Sequence, residues 1–378
     1  MVHSASASAG LPSSRQTNNH GAVLSSLGER AILSEIVMPR LALAKAGAGR
    51  IGDDCAELPS TPNGHTLLVT TDPCPSPVVF EIEDRDYWHF GRMTILINVS
   101  DLAAMGASPI GIVVSTVMPD DMHVRDYNRY LDGLVEAADE FDCPVIGGNI
   151  KDGSEFTSTG AAFGSAPSAN VMHRTGARAG DRICVIGRMG LFWGAVLQRL
   201  SPEWPDTSHA STSALRQALY RPTARLRESQ VLAQSGLVTA CMDASDGIGA
   251  CLTELAIRNC VDIVVDDDSL VPDQAVSEIT SKVSMDPRKL MLAWGNWELV
   301  FSVAPTSLER LQGLALIHEL PLSVIGEMRN GDGTVWLSSA RGVSRLTNFA
   351  SERFTGTSYF THGLKSYMQW LMEVPITH

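Results

Sequence analysis

The stretch VTACMDASDGIGACLTELAIRN, residues 238–259, decides the architecture. Its apolar run from Val238 to Met242 has the length and composition of a buried strand. From Ile248 to Asn259 the apolar side chains return at helical spacing. Between the two lies Asp243-Ala244-Ser245-Asp246-Gly247, a turn that carries two carboxylates. Strand, acidic turn and helix in succession are the unit of a mixed α/β chain. Asp246 stands where a helix N-cap would stand, with its charge matched to the macrodipole, and that leaves Asp243 without a local structural reason.

Outward from this unit the same placement recurs. Residues 65–71, HTLLVTT, read as a buried strand that ends on Asp72 and is stopped by Pro73, Pro75 and Pro77. Upstream, an amphipathic helix expected over 27–46 is broken at Gly47-Ala48-Gly49, and Gly52-Asp53-Asp54 follows. A helix expected from Asp86 to Met105 sets Asn98 and Asp101 three residues apart, on one face. Ile110 to Met118 reads as a strand and Val124 to Phe141 as an amphipathic helix. CPVIGGN then reads as a short strand with a glycine turn, and Asn149 lies just past it. In the second half a strand is expected from Arg182 to Ile186, and Gly187, Gly190 and Gly194 follow at a spacing that matches neither a Walker loop nor a dinucleotide fingerprint.

With 378 residues the chain exceeds what one core supports. The Ser-, Ala- and Gly-rich stretch 166–178 divides it into a tail at 1–25, expected to be disordered, an N-terminal domain at 26–166 and a C-terminal domain at 167–378. A net charge of −13 repels a phosphate backbone, and no basic stripe is present, so nucleic acid is excluded as a partner. No apolar run approaches the roughly 20 residues of a membrane span, and the first twenty residues lack the apolar centre of a secretory signal. The expected location is the cytoplasm, with no membrane partner. Seven cysteines without a C-x-x-C pair argue against a disulfide framework or a zinc site, and ten histidines form no H-x-x-x-H.

Asp53, Asp54, Asp72, Asp101, Asp243 and Asp246 therefore stand at strand ends, glycine turns or a helix face rather than along solvated surfaces. Hard oxygen ligands of this kind suit Mg2+, which takes one or two carboxylates per ion together with substrate phosphates. Turn and capping roles explain any one of them singly. Spacing alone leaves kinase, phosphatase and calcium-binding module open.

At these residues the chain resembles the superfamily of aminoimidazole ribonucleotide synthetases, selenophosphate synthetases and thiamine-monophosphate kinases, and the last most of all. The resemblance runs through ERAILSEIV (29–37), IGDDCAEL (51–58), LLVTTD (67–72), INVSDLAAMGASP (97–109), PVIGGN (144–149), HRTGARAGDRICVIGRMG (173–190), DASDGIG (243–249) and WGNWELVFSV (294–303). It implies a two-domain α/β fold of the aminoimidazole ribonucleotide synthetase type. The N-terminal sheet would pair with that of a second subunit in a homodimer, and ATP would lie between the domains.

By the same resemblance Asp53, Asp72, Asp101 and Asp246 are magnesium ligands, with Asp54 and Asp243 supporting them. Asp246, Asp101 and Asn149 are implied in catalysis, and Thr70, Thr71, Gly147, Gly148, Arg174 and Ser245 lie by the nucleotide. The implied activity is ATP- and Mg2+-dependent phosphorylation of a small molecule by direct in-line transfer. Two departures mark the chain. Gly147-Gly148-Asn149-Ile150 stands where these kinases read GGDT, and is similar to the GGN of formylglycinamidine ribonucleotide synthetases. Trp294-Gly295-Asn296-Trp297-Glu298-Leu299 replaces the end of GGEDYEL, which places Asn296 and Trp297 at the substrate and turns the expectation toward a non-thiamine acceptor. An ATP-dependent ligase or cyclase and a catalytically silent nucleotide-binding subunit are the other two readings.

Overall fold

In the computed structural model, which describes residues 29–38, 52–58, 63–201, 208–349, 353 and 358–377, the strands form two sheets. The first contains β1 (Ala56–Glu57), β2 (His65–Pro73), β3 (Ser108–Met118), β4 (Val145–Asp152) and β5 (Thr157–Pro167), in the order β1-β2-β5-β3-β4. Helix α1 (Tyr87–Ala104) covers one face of this sheet, and Asp86 caps its start by accepting the Trp88 N–H at 3.0 Å. Only β3 and β4 run parallel, because α2 (Val124–Glu140) supplies the long crossover that a parallel pair needs. The second sheet contains β6 (Arg182–Ile186), β7 (Val238–Asp243), β8 (Val261–Asp266), β9 (Leu299–Val303), β10 (Leu322–Asn330), β11 (Val335–Ser339) and β12 (Gly342–Arg345). Its order is β12-β11-β8-β10-β6-β9-β7. The acidic turn at 243–247 leaves the edge strand β7 and enters α3 (Ile248–Asn259).

Two expectations differ from the structure. No turn occurs at Gly147-Gly148: β4 continues through both to Asp152, and the pairing with β3 slips between Ile112 and Val113, so the glycines sit beside a bulge. Gly148 has its own reason, since a Cβ there would lie 2.0 Å from the Val114 carbonyl oxygen. Asp246 does not cap α3; Gly247 does, at φ +96°, without a side-chain hydrogen bond. Gly187 and Gly194, which match no phosphate-binding fingerprint, serve packing, because a Cβ would strike the Glu298 side chain at the first and meet Leu215 at the second. Of the helix expected over 27–46, Glu29–Ala31 is α-helical and Ile32–Val37 π-helical, while the part beyond 38 and the tail 1–25 lie outside the described residues.

Cys184, Cys241 and Cys251 are fully buried among apolar neighbours, as small core side chains. No helix among the described residues is long and apolar enough to cross a membrane.

Candidate active site

Three carboxylates from three separate segments meet where α1 packs against β7. One oxygen each of Asp54, Asp101 and Asp243 lies within 4.8 Å of the others. Asp101 comes from the last turn of α1, where it accepts a hydrogen bond from the Thr70 hydroxyl on β2. Asp243 ends β7 and accepts from Ser100 Oγ at 2.5 Å and Ser245 Oγ at 3.1 Å. The Ser100 bond ties the first sheet's helix to the second sheet's edge strand. The Asp54 side chain is only 1% exposed and takes the Arg174 guanidinium as a fork, Nε at 3.1 Å and Nη2 at 2.6 Å.

Burial and mutual repulsion show in the proton affinities. Burial, then Asp243, Asp72 and Asp54, push the Asp101 carboxyl well above its ordinary value. Burial and Asp54 raise Asp243 to about 7, against the Ser100 bond. Asp72, at the end of β2, is raised to about 6 by burial and by Asp246, while Arg353 opposes the shift. Carboxylates forced together in this way are the donor set a hard divalent cation requires, since the ion relieves the repulsion that would otherwise protonate them.

Asp53 faces the other way. It accepts the Arg174 N–H at 2.8 Å and contacts His173 Nδ1 at 3.2 Å, with Glu57 3.6 Å from the same nitrogen. Burial works to raise its carboxyl, but the His173 and Arg174 bonds outweigh that and hold it low. The Asp53–Asp54 pair thus clamps the His173–Arg174 pair across 120 residues of chain. Asp246 is more open and pairs with Arg353 at 3.3 Å.

The remaining expected residues divide. Strand alternation puts Thr70 on the Asp101 face and turns Thr71 away, so that its hydroxyl donates to the Gly160 carbonyl at 2.8 Å. Gly147, Gly148 and Asn149 lie on exposed β4, separated from β2 by β5 and β3. Asn296 is buried, its amide 3.3 Å from the Ala293 carbonyl, and Trp297 is half-buried at the wall of a cavity. Trp294 packs in the core against Trp193, Tyr359 and Tyr367.

Several contributors escaped the sequence reading of roles. Asn98, fully buried, accepts the Asp72 N–H at 3.3 Å and fixes the strand end; its place on the Asp101 face was the available signal. Ser100 and His173 carried none, because their partners lie more than a hundred residues away. Glu298 was signalled by its place in Trp294-Gly295-Asn296-Trp297-Glu298-Leu299, where it falls on the Glu-Leu that ends the kinases' motif, but it was given no role.

Two family profiles match the chain: AIR synthase related protein, N-terminal domain, over residues 52–166, and AIR synthase related protein, C-terminal domain, over 178–337. The thiamine-monophosphate kinase of Pyrococcus horikoshii is 28% identical over 330 residues, covering 86% of this chain and 97% of that protein. The crystal structure of thiamine-monophosphate kinase from Stenotrophomonas maltophilia K279a is 31% identical, covers 81% of this chain and 95% of its own, and superposes with a TM-score of 0.65. AaThiL complexed with AMPPCP and TMP gives a TM-score of 0.69 at 25% identity, covering 82% and 94%.

Proposed function

From membership of the AIR synthase related family, to which the chain belongs, we propose that it is an ATP- and Mg2+-dependent phosphotransferase acting on a small acceptor by direct in-line transfer. The observation that carries this reading is the convergence of Asp54, Asp101 and Asp243 from both halves of the chain, at least half-buried and mutually repelling. Those three would hold the metal, with Asp53, Asp72 and Asp246 around them. Bound there, the ion would offset the negative charge that develops on the phosphate in transfer. The protein's share is positional: Thr70, Ser100 and Ser245 orient the carboxylates, and Arg174 balances Asp54.

The relatives that are thiamine-monophosphate kinases, one of them complexed with AMPPCP, support the nucleotide half of this reading. The acceptor is proposed to differ from thiamine phosphate, because Trp294, Asn296 and Trp297 replace residues of the kinase motif at the substrate side. Phosphorus NMR of a reaction with Mg·ATP and a panel of acceptors that includes thiamine monophosphate tests the proposal. ADP with a new phosphorylated product is expected. ADP with free phosphate would instead support a ligase, and nucleotide binding without turnover a silent subunit.

A homodimer through the first sheet is part of the proposal. β4 is an edge strand, and Val145, Ile146 and Ile150 on it are exposed, Ile146 by 58%. An uncovered apolar edge of this kind is a template for a second copy. Ile146→Lys is expected to shift the mass in light scattering from dimer to monomer; an unchanged mass counts against this edge. Asn149 lies on the same strand, so its proposed part in catalysis runs through that pairing.

A further inference from the structure

Among the described residues, Arg174 and Arg353 pair with aspartates of the site, and the two pairs are unlike. Arg174 is fixed from several sides. Its fork closes on Asp54, whose side chain is 1% exposed, its N–H donates to Asp53 at 2.8 Å, and its carbonyl accepts from Asn259 Nδ2 at 2.9 Å. Arg353 instead meets Asp246 with Nε at 3.3 Å, and both side chains of that pair are 41% exposed. Its charge also reaches Asp72: burial raises that carboxyl, and Arg353 is the strongest influence against the rise. The guanidinium therefore lies on the open side of the acidic site, against the two aspartates that flank Asp54, Asp101 and Asp243.

An aromatic platform holds it there. The guanidinium carbon stands 4.7 Å from the centre of the Phe360 ring, within the range of a cation–π contact. Phe360 packs on Trp294 at 4.8 Å and on Tyr359 at 5.4 Å. The Tyr359 hydroxyl and the Leu364 N–H both donate to the Glu81 carboxylate, at 2.7 and 2.9 Å, which ties the platform to the first half of the chain. A guanidinium resting on such a base stays beside Asp246 whichever anion it bonds. The family profiles end at residues 166 and 337, so Arg353, Tyr359 and Phe360 lie beyond what they describe.

An ion pair as exposed as Arg353–Asp246 contributes little, because water solvates both charges and ordering two side chains costs entropy. A phosphate offers the guanidinium parallel, charge-assisted bonds in a fork, which the Nε contact with Asp246 does not provide. The arrival of a phosphate therefore favours an exchange of partners. The terminal phosphate of a nucleotide carries the most charge, and it is the one that a metal held by these carboxylates serves in transfer.

We propose that Arg353 is a phosphate-binding residue of the site: when Mg·nucleotide binds, its guanidinium leaves Asp246 and forks onto oxygens of the terminal phosphate, and Asp246 turns to the metal. This inference rests on the phosphotransferase reading and adds to it the residue that reads the third phosphate.

The test is calorimetric titration of the full chain with Mg·AMPPCP and with Mg·ADP, which lacks the third phosphate. Arg353→Ala is expected to weaken Mg·AMPPCP by about ten-fold or more, the scale of lost hydrogen bonds to a charged group, and to leave Mg·ADP unchanged. Arg353→Lys keeps a charge on a long stem without the fork, so it should lose part of the Mg·AMPPCP affinity and again leave Mg·ADP unchanged. A merely structural role would weaken both nucleotides together. Equal losses for the two nucleotides, or no loss of Mg·AMPPCP, in either variant overturns the proposal while wild-type binding upholds the nucleotide reading. The lysine variant decides the matter where alanine disturbs the fold. Binding of neither nucleotide by the wild type overturns the phosphotransferase reading, and this inference with it.

Discussion

The acidic cluster and the cavity walled by Phe192 and Trp297 adjoin each other, since the Ala244 N–H donates to the Glu298 carbonyl, and they are built by opposite means. Around Asp54, Asp101 and Asp243, like charges are pressed together and held by hydroxyls from α1 and β2. Around Phe192 and Trp297, apolar walls surround Glu298 and Arg225, whose Oε2 and Nε are buried without a bonded partner among the described residues. The first arrangement is a charge problem that a cation solves; the second is a shape with one acid and one base in its wall. Damage to one should abolish chemistry, whereas damage to the other should alter only what is accepted.

The sharpest way to break that contrast is Asp101→Asn. Turnover, read as ADP release, is expected to fall by about 10³-fold, the scale of losing a principal electrostatic group. The metal-free protein should melt no lower than wild type, because a source of repulsion has gone; a marked drop in Tm would mean that Asp101 serves the fold. Next in size, Trp297→Ala should raise the acceptor KM about ten-fold, as expected for lost ring packing, with nucleotide affinity kept. Equal losses in both affinities would dissolve the distinction between the two regions. Ser100→Ala should cost about 1–2 kcal/mol in urea unfolding, as one buried bond to a charged acceptor is lost. An unchanged midpoint would show that Ser100 does not tie α1 to β7.

The smallest effect is one of pH. Asp243 has a folded value of about 7 against an ordinary 3.8, so the folded protein binds more protons than the unfolded between those values. This group therefore makes metal-free stability fall as pH rises from about 4 to 7, and adds nothing further above 7. Saturating Mg2+ should flatten the slope by holding the carboxylates ionised. A slope that is the same with and without the ion would remove Asp243 from the metal's ligands.

Much of this arrangement was legible because local rules govern it. The strand at 238–242 and the helix at 248–259 were readable from apolar spacing, and the structure reproduces the helix to the residue. The helix carrying Asn98 and Asp101 was readable in the same way. Where local rules allowed two outcomes, packing chose. Asp246 could have capped α3, but Gly247 took that place and Asp246 turned to Arg353. Gly147-Gly148 could have turned the chain, but parallel pairing with β3 carried the strand through.

From the sequence by itself came the α/β class, the strand ends and turns on which the aspartates stand, and the excess of acid over base, because each depends on residues within a few positions of one another. Tertiary structure alone decided which aspartates meet. Ser100 reaches Asp243 across 143 residues, and Arg174 reaches Asp54 across 120. It made Asp54 and Asp243 central, turned Asp53 to His173 and left Glu298 without a bond at Oε2. Contacts over such distances follow from how α1, lying on the first sheet, packs against β7 of the second, and no period within either segment encodes them.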